Sequence, residues 1–169
     1  MRRRGVGPDS FTPGSRLLRR SSISSGPCAH DLGYLLFAPL LGDAHISAGE
    51  HEKARALIED VREKADRCGA RFAMGCARRL LAELSLLTNP EQQEEPLAAP
   101  LFEESIDVLR EIGAENEMGL ALAGCGRLRR LGDVESARVL LTEALRIFER
   151  LGTMHEPEDI ARELAALPS

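Results

Sequence analysis

Residues 132–152 read GDVESARVLLTEALRIFERLG. Ala137, Leu140, Leu141, Ala144, Leu145, Phe148 and Leu151 fall at i, i+3, i+4, i+7, i+8, i+11 and i+14. That spacing places all seven on one face of a helix. A helix with such a stripe cannot bury it alone, so the segment demands partner helices. Gly152 follows the stripe directly. Only glycine enters the left-handed C-cap conformation without a steric cost, so the helix is expected to stop there.

The same layout recurs along the chain. Gly49-His51 to Ala54 and Gly132 to Ala137 share the pattern Gly-x-x-Glu-x-Ala. Counting fifteen residues from Ala54, Ala98 and Ala137 reaches Gly69, Gly113 and Gly152. Eight residues beyond Gly69 and Gly113 stand Ala77 and Ala121, and Met74-Gly75-Cys76-Ala77 parallels Met118-Gly119-Leu120-Ala121. Ala38 is set in the same place of a first unit, which gives spacings of 39 and 44. The extra five residues fall in the polar stretch 89–96, where an insertion lengthens a loop and leaves the stack undisturbed.

These periods predict an all-α fold of about three antiparallel helix pairs and a C-terminal capping helix. The helices are expected near 32–48, 51–67, 71–88, 97–112, 115–130, 134–151 and 157–167. Pro39 is expected to kink the first or start it late. The expected core is Ala54, Leu57, Ile58, Ala77, Leu80, Leu81, Phe102, Ile106, Ala121, Leu140, Leu141, Ala144 and Phe148. Gly124 and Gly126 lie within a helix, where they weaken it, and are read as points of close helix approach.

Gly-x-x-Glu-x-Ala, with Leu41-Gly42 in the first unit and turn glycines at Gly49 and Gly132, resembles the tetratricopeptide repeat family. The longer period and the ending Ile147 to Thr153 are similar to the C-terminal repeat arrays of bacterial multidomain ATPase, nucleotide-cyclase or transcriptional regulators. The resemblance covers residues 32–168 and implies a tetratricopeptide-like antiparallel helix-pair solenoid. It further implies a protein-protein interaction scaffold or regulatory module that binds a peptide or partner domain. The alternative it leaves open is a C-terminal sensory fragment of an ATPase- or cyclase-type signalling protein. The family's late aromatic in the first helix of a unit is replaced here by His45, Leu84 and Leu128.

Composition narrows the partners. Residues 1–27 hold six Arg and one Asp, so they carry +5 of a chain whose net charge is −5, and the remainder carries −10. An acidic body is unsuited to phosphate backbones, so nucleic acid is not an expected partner. No apolar run is long enough to span a bilayer, so a membrane is not expected either. Residues 1–30, rich in Arg, Ser, Gly and Pro, read as a disordered basic tail before a domain at 31–169. An organelle-targeting segment is the competing reading of the same composition. Four cysteines, at 28, 68, 76 and 125, show no paired spacing, so no disulfide framework and a reducing, cytoplasmic setting are expected.

No phosphate loop, zinc-finger spacing or catalytic constellation emerges, so no enzyme activity, metal or cofactor is expected. Two surfaces stand out instead. Arg78, Arg79, Arg129 and Arg130 lie on the first helices of their pairs, which the resemblance places on a concave face. There they form either a basic strip for an acidic peptide or a solvated face with favourable charge at a helix end. Leu35, Leu36, Phe37, Leu40 and Leu41 lie at the uncapped N-terminal end. That end is expected to dock another domain or to self-associate, with Leu36 and Leu40 as contact residues.

Overall fold

The computed structural model describes residue 28 and residues 31–88, 95–130 and 132–168. Among them are seven helices and no strand: α1 (Leu32–Ser47), α2 (His51–Cys68), α3 (Arg71–Thr88), α4 (Glu95–Glu111), α5 (Glu115–Arg129), α6 (Val134–Leu151) and α7 (Glu156–Ala165). The protein is all-α, and every helix lies within a few residues of its expected place. α1 begins well before Pro39 and runs through it, so the proline does not delay the start. Apart from Cys28, the basic tail lies outside the described residues, as do residues 89–94 of the polar stretch.

The even-numbered helices α2, α4 and α6 are built to one plan. Each buries four positions spaced i, i+4, i+7 and i+11: Ala54, Ile58, Val61 and Ala65; Ala98, Phe102, Ser105 and Leu109; Ala137, Leu141, Ala144 and Phe148. Ser105 is the polar exception, and its hydroxyl donates to the Gly75 carbonyl at 2.8 Å. Each helix then ends in a glycine with φ of 65°, 69° or 70°, at Gly69, Gly113 and Gly152. Asp133 caps α6 by accepting from the Ser136 amide at 3.0 Å. Of the expected core, Leu57, Leu81 and Leu140 are half-buried at its rim and the others are buried.

Each helix packs on the next in sequence, while α1 also meets α3 and α3 meets α5. Two apolar clusters result. One joins α1, α2 and α3; the other runs from α3 to α7. α3 belongs to both, giving Ala73, Ala77, Leu80 and Leu84 to the first and Cys76 and Ala82 to the second.

Internal packing corrects the repeat register. A Cβ on Gly42 would lie 2.9 Å from Ile58, and one on Gly126 would lie 2.8 Å from Leu141. Ile58 and Leu141 hold the same place relative to Gly69 and Gly152, so Gly42 and Gly126 are equivalent, with Ala82 between them. The first spacing is therefore 40 rather than 39. Phe37, not Ala38, is the counterpart of Ala77 and Ala121, and Leu40 is the counterpart of Leu80 and Gly124. Ala38 instead packs inward with Leu35 and Gly42.

The open ends of the three pairs are tied at one level. Cys28, just before α1, is disulfide-bonded to Cys68 at the end of α2, with Cα atoms 5.6 Å apart. Arg71 at the start of α3 pairs with Glu111 at the end of α4. Glu115 at the start of α5 pairs with Arg150 at the end of α6, at 2.6 Å. The expectation of unpaired cysteines fails at this one bond, because the antiparallel turn brings together residues forty apart. Cys76 and Cys125 are free and buried, and burial pushes both thiols above their ordinary pKa. A thiol reagent is thus expected to find no reactive group in the folded chain and two after denaturation. Reducing Cys28–Cys68 reopens a long loop in the unfolded chain and should cost roughly 2–4 kcal/mol. Thermal melts with and without dithiothreitol measure the loss, and unchanged melting would refute it.

Candidate interaction surfaces

The outer side of α1 is the largest apolar exposure among the described residues. Leu32, Leu36, Phe37, Leu40 and Leu41 are each more than half exposed, with Phe37 at 64% and Leu40 at 60%. Gly33, Leu36, Phe37, Leu40, Leu41 and Ala44 follow one helical stripe, while Leu35, Ala38, Pro39 and Gly42 form the opposite, buried one. A helix apolar on all sides is ordinarily covered on all sides. A shallow depression of about 190 Å³ beside it, lined by Leu32, Leu36, Ala70 and Phe72, extends the apolar surface to the start of α3.

A second assembly crosses the odd-numbered helices. Arg79 on α3 is 3% exposed. Its guanidinium donates to Glu83 at 2.9 Å, to Asp43 of α1 at 3.1 Å and to Glu117 of α5 at 3.2 Å. Its Nε, also buried, has no partner among the described residues. Burial alone would lower the Arg79 pKa, but Glu83, Asp43 and Glu117 together hold it above its ordinary value. Burial raises the Glu83 carboxyl, and Arg79 offsets part of that rise. Arg79 thus serves three carboxylates from three helices.

The other arginines singled out in the sequence are spread over the surface. Arg78 binds Glu104 at 2.9 Å and the Met74 carbonyl at 3.1 Å. Arg129 pairs with Glu103 at 2.7 Å, and Arg130 is exposed. Arg78 and Arg79 are adjacent in sequence but engage different carboxylates, and neither reaches Arg129 through a shared partner. Leu36 and Leu40 do stand together on α1. Of the carboxylate partners of Arg79, Glu83 lies one helical turn away, but Asp43 and Glu117 lie 36 and 38 residues away and were not legible in sequence.

α1 is anchored to α2 through Tyr34, whose hydroxyl donates to Asp60 at 2.6 Å. Lys64 pairs with the same carboxylate and lies 5.0 Å from the Tyr34 ring centroid. Burial, then the hydrogen bond and charge of Asp60, push the phenol pKa up from 10.0 to about 12. The folded state favours the neutral phenol. This contribution to stability is therefore whole below pH 10 and is lost as pH rises through about 12. Tyr34 is the one tyrosine of the chain, so ultraviolet absorbance titration reads it directly. Asp60→Asn should move the midpoint back towards 10, and a wild-type midpoint already at 10 would refute the contact.

Among the described residues, no three His, Cys, Asp or Glu side chains converge as a metal site. None of the described helices is long and apolar enough to cross a membrane. In comparisons with known proteins, no family model, no curated protein and no solved structure matches the chain.

Proposed function

We propose that this chain is a protein-interaction module built as a tetratricopeptide-like solenoid of antiparallel helix pairs. Three features support the architecture: the common register of α2, α4 and α6, the glycine ends they share, and the packing of each odd-numbered helix on the next. The observation that carries the function is the apolar face of α1, left uncovered among the described residues. Exposed apolar surface of this kind favours contact with another protein, since burying it removes that area from water. In this reading Leu36 and Leu40 are contact residues.

The arginines take a smaller part than a basic strip would give them. The Arg79 charge is met inside the chain, so an incoming carboxylate would face Asp43, Glu83 and Glu117 instead. A basic side chain suits that cluster better than an acidic peptide does. Immobilised full chain, compared with a Leu36→Glu/Leu40→Glu variant, tests the reading. The wild type should retain a protein that the variant loses. Equal retention by both would remove α1 as the contact face.

A further inference from the structure

The occupant of the α1 face is specified by the repeat itself. The stripe left open on α1, centred on Phe37 and Leu40, is equivalent to the stripe of Ala77 and Leu80 on α3. There both residues are 0% exposed, in a cluster to which α2 contributes Ala54, Ile58, Val61 and Ala65 and α1 contributes Leu35 and Ala38. On α5 the equivalent Ala121 is fully buried, and the Phe102 ring of α4 would lie 2.5 Å from a Cβ on Gly124. Twice in this chain, then, the same face of an odd-numbered helix is closed by packing in which the preceding even-numbered helix takes part. The third copy of the face has the apolar character of the other two and lacks that cover among the described residues.

Resting on the interaction reading above, we propose that α1 docks one amphipathic helix of a partner protein. That helix would lie antiparallel to α1 and carry small or aliphatic residues at i, i+4, i+7 and i+11, continuing the α2–α3 and α4–α5 interfaces one step outward. Phe37 is larger than Ala77, so the partner helix needs a small residue opposite it, as Gly124 is small opposite Phe102. A second copy of this chain fits less well. Its α2, α4 and α6 already bury this register internally, and α7 packs on α6.

The probe is a fluorescein-labelled peptide of residues 51–68 with Cys68→Ser, which carries the required register. Fluorescence anisotropy with the full chain should show saturable binding. Phe37→Glu with Leu40→Glu in the chain, or Ile58→Glu with Val61→Glu in the peptide, should weaken it by about tenfold or more. Circular dichroism of the chain variants must match wild type, which is expected because both positions are exposed. Absence of saturable binding, or binding indifferent to Phe37 and Leu40, would overturn the proposal. So would a wild-type dimer in sedimentation that Leu40→Glu converts to monomer, since a second copy would then hold the face. If the peptide fails while wild type still retains a protein that Leu36→Glu/Leu40→Glu loses, the interaction reading survives and the helical occupant does not.

Discussion

Arg79→Met should destabilise the fold by about 3–5 kcal/mol, the range for removing one partner of a buried ion pair. Methionine fills much of the same space, so the loss is electrostatic rather than a cavity. Asp43, Glu83 and Glu117 would remain within reach of one another without their shared cation. Glu117 is the best buried, with its side chain 13% exposed, while Asp43, at 40%, can turn to water and soften the loss. The effect carries a sign in pH. Burial already raises the Glu83 carboxyl, and without Arg79 that rise is no longer offset. Stability is then greatest below the unfolded pKa and is lost as pH rises through the folded one. The gap between variant and wild type should therefore narrow on acidification. Adding Glu83→Gln and Glu117→Gln should recover part of the loss at neutral pH. Denaturant melts at pH 7 and pH 5 measure both, and a variant within 1 kcal/mol of wild type would show that the cluster does not hold the three odd-numbered helices together.

Phe148→Ala should cost a similar ~3–5 kcal/mol. The ring is fully buried at the last of the four inward positions of α6. It lies against Gly119 of α5, where an added Cβ would come within 2.8 Å of it. The surrounding helices are fixed by their own pairs, so the cavity left by alanine cannot collapse fully. The same contact predicts non-additivity. Gly119→Ala alone should be destabilising because it strikes the ring, and much less so when combined with Phe148→Leu. A double-mutant cycle reads that coupling directly. Independent effects would mean that the ring does not fill the space beside Gly119.

The sequence made the even-numbered helices legible, and the reason is physical. α6 alternates apolar and charged faces, and its stripe meets a glycine at a fixed distance, so period and terminus agree. α1 offers no such contrast. With apolar residues at nearly every turn, its pattern does not say which side is inward, and Ala38 was the natural alanine to set against Ala77. Only the contact of Gly42 with Ile58 fixes the register, and it turns Phe37 outward. Leu36 and Leu40 were legible as a surface because their end of the chain had no evident partner. The Arg79 cluster was not, since it forms across three helices. Cys28–Cys68 was not legible either, since the two cysteines lie 40 residues apart and only the packing of α1 on α2 brings them together.

The helix shared by the two apolar clusters sets how the protein comes apart. α3 has no side given over to a single neighbour: α2 and α4 both lean on it, and it contacts α1 and α5 as well. Neither cluster can be opened from the α3 side without disturbing the other, so α3 acts as a hinge pin between two half-molecules. Its amides should be the last to exchange with deuterium, after α7 and the outer turns of α1 have already done so. Local opening at either end then leaves the other half in place, and complete melting waits on this one helix.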